Sequence, residues 1–181
     1  MIAEAGHYAL VLALALTLVQ STVPMLGARW RDSALMNVAR STALAQLLFV
    51  GLSFLALTTL YVTSDFSVAN VFENSHSAKP LLYKITGVWG NHEGPMLLWA
   101  SILALFGGLV AAFGNDLPLS LRANVLAVQG WIASAFYLFI LTTSNPFLRL
   151  VNSPIEGRDL NPVLQDIGLA IHPPMLYLGY V

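Results

Sequence analysis

Four long stretches without Asp, Glu, Lys or Arg dominate the chain. Leu, Ala, Val and Phe fill most of their positions, and they cover residues 5–28, 41–64, 94–115 and 123–148. A helix needs about 20 apolar residues to cross roughly 30 Å of hydrocarbon, and it satisfies its own backbone hydrogen bonds in lipid. We therefore predict an all-α fold, a polytopic transmembrane helical bundle with full spans at about 7–27, 42–63, 95–114 and 123–143.

The start of a fifth span is predicted near Pro173. The nine residues from Pro173 to Val181 are mostly apolar, but at about 1.5 Å per residue they cannot cross a bilayer. A residue that precedes proline is pushed away from helical geometry, whereas proline suits the first helical turn, so we expect His172 to lie just before this helix. We also expect the natural protein to continue beyond Val181.

Composition supports a membrane protein. Hydrophobic residues make up 57% and charged residues 9% of the chain, whereas a soluble domain has about 25% charged residues. The net charge is -1 without any charged block, so a nucleic-acid surface is not indicated. The chain has no cysteine, which excludes a disulfide, a thiolate metal site and a cysteine nucleophile within it. Residues 1–6 lack the basic residues of a signal peptide, so the first stretch is interpreted as a true span.

Arginine density predicts the orientation. The first connection holds Arg29, Arg31 and Arg40 within twelve residues, whereas the longer second connection holds only Lys79 and Lys84. Basic residues are enriched in cytoplasmic connections, so we place the first connection in the cytoplasm and the N-terminus outside. All the histidines are then expected on the outer side or at its interface, namely His7, His76, His92 and His172.

Polar and small residues within the spans predict helix packing. Gln20, Gln46 and Gln129 are explained by hydrogen bonds between helices, and the absence of charges from the middles of the spans disfavours transport. Close packing of the third span is predicted by small-xxx-small spacing, in Gly107 with Ala111 and in Gly108 with Ala112.

Two segments carry candidate chemistry, and each has two interpretations. Trp89 and Trp99 flank a glycine-rich entrance to the third span, where they form either a flat apolar platform for a macrocycle or an interfacial aromatic belt. Arg158 lies in a charged segment rich in turn formers, where it pairs either with a carboxylate of a ligand or partner, or with Asp159 or Glu156 in a solvated loop.

His172 is the sharpest single candidate. At the start of a helix the dipole disfavours an imidazolium, which leaves a neutral ring with a lone pair for iron. A capping or interfacial role is the alternative. The residues around His172 do not decide between these two roles.

Three segments together resemble a known family. They are W-G-N-H-E-G-P-M-L-L-W from Trp89, T-S-N-P-F from Thr143, and E-G-R-D-L-N-P-V-L-Q-D-I-G-L-A-I-H-P-P-M-L-Y-L-G-Y from Glu156. This wording is similar to the N-terminal part of CcmF-type haem lyase subunits of bacterial cytochrome c maturation, and NrfE-type paralogues share it. The resemblance implies cytochrome c biogenesis, in which haem b from a chaperone is passed to the C-x-x-C-H cysteines of an apocytochrome c. It also implies that this transfer takes place on the periplasmic side of the bacterial inner membrane, where the N-terminus and the histidine-bearing connections are expected.

The resemblance also implies roles and partners. His172 matches one of two outer histidines that flank haem, and Trp89, Trp99 and Arg158 are the other candidate cofactor-binding residues, with no catalytic residue assigned. The expected partners are a CcmE-like haem chaperone, apocytochrome c, a CcmH-like thiol-handling subunit and membrane lipid. The remaining haem ligands are expected beyond Val181, so this part alone should not complete the reaction. The alternatives are an NrfE-type subunit serving a nitrite reductase, or a non-catalytic scaffold or transporter subunit.

Overall fold

The computed structural model describes the backbone of residues 1–181 and every side chain except that of Leu169. Within it, four long helices and three short ones form the protein. In chain order they are α1 (Ile2–Trp30), α2 (Ser33–Val62), α3 (Ala69–Asn74), α4 (Leu81–Gly87), α5 (Glu93–Phe113), α6 (Leu119–Thr143) and α7 (Ile167–Tyr180). Single turns of 3₁₀ helix cover Gly114–Asp116 and Pro162–Leu164.

The four long helices are the predicted spans, and the helical membrane fold is confirmed. Their most apolar windows have mean hydropathies of 1.8 to 2.2, and only 33–44% of each window is buried inside the protein. The remaining face carries large apolar side chains, including Leu48, Leu55 and Leu138. A helix that is apolar on both its packed and its outer face is stable only when lipid covers the outer face.

The connection between α1 and α2 is a two-residue turn. Arg31 adopts a left-handed conformation with φ of 59°, and Asp32 caps α2 by accepting hydrogen bonds from Ala34 N and Leu35 N at 2.8 and 3.3 Å. A Cβ at Gly27 would lie 2.7 Å from Met36 N, so this close approach requires glycine. The helices therefore extend beyond the apolar stretches, because charged residues limit the lipid-soluble part of a helix and not the helix itself.

Hydrogen bonds between helices account for the glutamines, as predicted. Gln20 Nε2 of α1 donates to Leu126 O of α6 at 2.9 Å, and Gln46 Nε2 of α2 donates to the Tyr137 hydroxyl at 2.9 Å. Gln129 Nε2 of α6 donates to Leu103 O of α5. Each bond joins α6 to a different helix, so α6 is linked to the other three.

The glycines of α5 confirm the predicted close packing. A Cβ at Gly107 would overlap the amide of Gln129 on α6, and one at Gly108 would lie 2.5 Å from Leu47 Cδ2 on α2. The two adjacent glycines thus admit two neighbouring helices.

One end of the bundle carries the longer connections. We call it the histidine end; it comprises residues 63–92 and 144–172 together with the start of α1. Here the backbone after α6 meets that after α2, because Ala69 N donates to Leu148 O and Leu150 N donates to Ser67 O, both at 2.9 Å. These two hydrogen bonds join the connection after α2 to the connection after α6, and parts of the sequence motifs lie in both.

The start of α7 corrects the sequence prediction. The helix begins at Ile167, not near Pro173, and it contains His172, Pro173 and Pro174 in its interior. Asp166 begins it by accepting hydrogen bonds from Gly168 N through its carboxylate and from Ala170 N through its carbonyl, both at 2.8 Å. An early cap and a tertiary contact to the Ala170 carbonyl, described below, outweigh the local preference of the residue before proline.

Candidate functional site

A buried polar network fixes the entrance to α5. The Tyr61 hydroxyl, which is fully buried, donates to Asn70 Oδ1 at 2.6 Å and accepts from Asn91 Nδ2 at 3.0 Å. Asn70 Nδ2 donates to Glu93 Oε2 at 2.8 Å, and Asn91 Oδ1 accepts from Gly94 N at 2.8 Å. The polar residues of the N-H-E-G motif therefore bind neighbouring protein groups and set the backbone.

Gly94 and His92 complete this entrance. A Cβ at Gly94 would overlap the Val88 carbonyl, so only glycine fits. His92 is exposed and its Nδ1 lies 3.4 Å from the Ser144 hydroxyl. Glu93 pairs with Asn70 and not with His92, so His92 is the side chain of this motif that faces outward.

Trp89 is held against α7. Its indole Nε1 donates to the backbone carbonyl of Ala170 at 2.8 Å, and its ring packs on the hydrophobic core. This contact joins residues 81 positions apart and brings together two of the segments that carry the family resemblance.

Trp99 lies deeper along α5, in an aromatic groove. Its ring packs edge-on against Phe136 of α6, with centroids 4.0 Å apart and planes at 63°. Both rings line a shallow groove of about 330 Å³, together with Pro95, Met96, Tyr177 and Tyr180. Each tryptophan therefore contacts or faces α7, Trp89 near its start and Trp99 near its end.

Arg158 has no carboxylate partner in the part of the chain that the structure describes. Its guanidinium carbon lies 5.2 Å from the centre of the Phe72 ring, and its backbone N donates to Phe72 O at 2.7 Å. Neither of the loop carboxylates expected to pair with Arg158 does so. Glu156 accepts a hydrogen bond from Ser77, and Asp159 lies 3.9 Å from Lys79 Nζ. The structure thus places Arg158 beside α3 and leaves its charge available.

Sequence analysis missed Lys79, whose side chain is only 1% exposed. Its ammonium donates to Asn74 O at 2.9 Å, and burial lowers the pKa of Lys79 to about 8, against the opposing effect of Asp159. Nearby, hydrogen bonds from Ser77 lower the pKa of Glu156 to about 2. Sequence patterns do not separate Lys79 from Lys84, because burial comes from loops that are distant in the chain.

His172 is exposed on α7 and has no hydrogen-bond partner among the described residues. Because it lies in the second turn of the helix, the dipole argument for a neutral ring no longer applies, since that effect falls off within the first turn. Two other histidines are engaged: His7 Nδ1 lies 3.2 Å from Asn145 Nδ2, and His76 Nδ1 accepts from Ala78 N at 3.2 Å.

The candidate residues are not gathered into one pocket. His172 lies on α7, and the two tryptophans contact or face that helix. Arg158 lies elsewhere, over the Phe72 ring of α3. No group of three or more His, Asp or Glu side chains that could hold a metal ion occurs among the described residues. A bare metal ion needs several protein ligands, whereas haem iron already has its porphyrin nitrogens and needs few. A single open imidazole would therefore suit haem iron better than a bare metal ion.

Comparison with known proteins identifies the family. The model of the family described as Cytochrome C assembly protein matches residues 89–181. The cytochrome c-type biogenesis protein CycK of Bradyrhizobium diazoefficiens is 84% identical over 181 residues, which is all of this chain and 27% of CycK. The cytochrome c-type biogenesis protein CcmF of Pseudomonas aeruginosa is 52% identical over 183 residues, covering 100% of this chain and 28% of that protein.

A solved structure of a cytochrome c heme lyase, CcmF, has the same fold. It superimposes with a TM-score of 0.83 at 27% identity, over 99% of this chain and 28% of that chain. The chain thus spans about a quarter of the length of these relatives. This sequence, with its four apolar helices and its buried motif network, belongs to the cytochrome c assembly protein family, and its fold is that of part of a CcmF-type haem lyase.

Proposed function

We propose that this chain presents haem b for transfer to apocytochrome c, through His172 as an axial ligand. The observation that carries the proposal is the exposed, unpartnered imidazole on α7, within a segment that resembles the haem lyase family. A neutral imidazole nitrogen is the common protein ligand of haem iron. When bound, haem supplies the group that becomes joined to the cysteines of the apocytochrome.

Other residues of this chain hold the helices that position this ligand. The network around Tyr61 holds the entrance of α5, and Trp89 holds α7. The unpaired guanidinium of Arg158 is suited to a carboxylate, either on haem or on a partner protein. A second axial ligand would come from outside this chain.

The proposal places the histidine end in the periplasm, with the N-terminus on the same side. The density of arginine at the α1–α2 turn supports this orientation. The partners are then a CcmE-like haem chaperone, apocytochrome c and a CcmH-like thiol-handling subunit. The identity is 84% to CycK but 39% to the NrfE protein of Haemophilus influenzae, which favours the CcmF-type subunit over the NrfE-type alternative.

Replacing His172 tests the proposal. In the full-length protein, His172→Ala should abolish cytochrome c maturation, measured as haem-stained cytochrome, while the protein remains in the membrane. His172→Gly with added imidazole should recover part of the activity, because the free ligand can occupy the vacated position.

His76→Ala is the matched control, because His76 also lies at the histidine end but has a local loop contact with Ala78. It should mature cytochrome c normally. Normal maturation in the His172→Ala strain would remove the ligand assignment.

A further inference from the structure

The backbone carbonyl of Ala170 in α7 lacks its helical donor. In an α-helix the carbonyl of residue 170 accepts from the N–H of residue 174. Residue 174 is proline, which has no N–H. Ala170 is only 6% exposed, so water has little access to this part of the helix. A buried carbonyl without a donor is costly, and another donor is required.

Trp89 supplies that donor. Its indole N–H lies 2.8 Å from Ala170 O. Among the described residues this is the hydrogen bond that ties α7 to the rest of the bundle. Trp89 itself is well fixed, because its backbone N donates to Thr86 O at 3.2 Å and the network around Asn91 follows directly.

This contact sets the direction in which His172 points. Successive helical residues are rotated by about 100°, so His172 lies about 200° around the axis from Ala170. Burial along α7 agrees: Ala170 is buried, Pro174 and Tyr177 are half-buried, and His172 and Met175 are exposed. The face held by Trp89 is thus opposite to the face that carries the imidazole.

We propose that Trp89 is a positioning residue, which uses the carbonyl left free by Pro174 to orient α7 and so turn the His172 imidazole outward. This inference rests on the proposed role of His172 as a ligand. In this proposal Trp89 does not contact haem directly, because the indole and the imidazole lie on opposite sides of the helix. Trp89 therefore acts through His172.

The first test removes only the indole N–H. In the full-length protein, Trp89→Phe should lower the cytochrome c yield about fivefold with an unchanged membrane level, since one tertiary hydrogen bond is lost. In haem-free protein, the backbone amides of α7, which exclude the two prolines, should exchange with deuterium about tenfold faster. Trp131→Phe is the control, because Trp131 is 51% exposed on α6, and it should change neither quantity.

Two combinations separate positioning from other roles. Pro174→Ala restores a helical donor for Ala170 O but no tether, so Trp89→Phe with Pro174→Ala should remain impaired. Full rescue by Pro174→Ala would mean that Trp89 only satisfies the carbonyl, and would overturn the proposal. Free imidazole does not depend on α7, so Trp89→Phe should not lower the activity of His172→Gly rescued by imidazole. A further decrease there would indicate direct contact with haem and would also overturn it.

The outcomes distinguish this inference from the proposed function. Normal maturation in His172→Ala would refute the ligand, whatever Trp89 does. Loss of maturation in His172→Ala, with normal yield and normal exchange in Trp89→Phe, would refute the positioning role alone.

Discussion

Removing the Tyr61 hydroxyl should loosen the entrance of α5 without changing any residue that faces outward. Tyr61→Phe keeps the aromatic ring, which is fully buried in the core. It deletes a donor to Asn70 Oδ1 at 2.6 Å and an acceptor for Asn91 Nδ2 at 3.0 Å. The change therefore isolates the polar network from the packing.

The two broken bonds to side chains are not equivalent; a third, from the hydroxyl to Asn70 O at 3.1 Å, leaves that carbonyl with Asn74 Nδ2 as a donor. Asn91 Nδ2 retains the carbonyls of Gly87 and Val88, each at 3.0 Å, so it keeps partners. Asn70 is 5% exposed, and its Oδ1 has no other donor among the described residues. A buried acceptor left without a donor costs about 1–3 kcal/mol. We expect local opening of residues 86–94 to become easier by about 2 kcal/mol, which is about 30-fold in the opening equilibrium.

Native-state hydrogen exchange of the full-length protein in detergent measures this opening directly. Amides of residues 86–94 should exchange about 30-fold faster in Tyr61→Phe, and those in the middle of α6 should not change. Tyr8→Phe is the matched control, because Tyr8 is 64% exposed at the start of α1. Exchange in Tyr61→Phe equal to that in Tyr8→Phe would show that the network does not hold the entrance.

Three further predictions address orientation, backbone and charge. In an otherwise cysteine-free protein, Ser153→Cys should react with an impermeant maleimide in spheroplasts and Ser33→Cys should not; the reverse labelling would invert the topology. Gly94→Ala should prevent accumulation of folded protein in the membrane, because its Cβ overlaps the Val88 carbonyl. The control Gly51→Ala has open space around it and should accumulate normally. Equal levels of the two variants would refute the steric argument. The pKa of Lys79 is lowered to about 8 from 10.5, so the folded state binds fewer protons between these values and thermal stability should rise as pH increases from 8 to 10. Lys79→Met should lose this rise, and an unchanged pH dependence would contradict it.

The labelling experiment also shows how burial alters a choice made from sequence. Ser75 and Ser153 lie in the two connections that the sequence places outside, and both look suitable for labelling. Ser75 is fully buried against the loop that contains Gly157, whereas Ser153 is exposed. Position in a connection predicts the side of the membrane but not the access of a reagent.

The prolines of α7 illustrate a different limit of sequence reasoning. His172 followed by Pro173 and Pro174 predicts a helix that begins after the histidine, and local propensity supports that prediction. The helix begins six residues earlier, at Ile167. The donor that satisfies Ala170 O comes from Trp89, 81 residues away. Local rules do not include that donor.

The apolar spans, their number and the motifs that mark the family can all be derived from the sequence. Lipid offers no hydrogen bonds to the backbone, so a long apolar stretch has to be a helix wherever it packs. Tertiary structure alone decided which polar residues are structural and which face outward. Asn91 and Glu93 are bound by Tyr61 and Asn70, whereas His172 is left open on α7. Hydrogen-bond partners and burial depend on segments distant in the chain, and these distances exist only once the helices have packed.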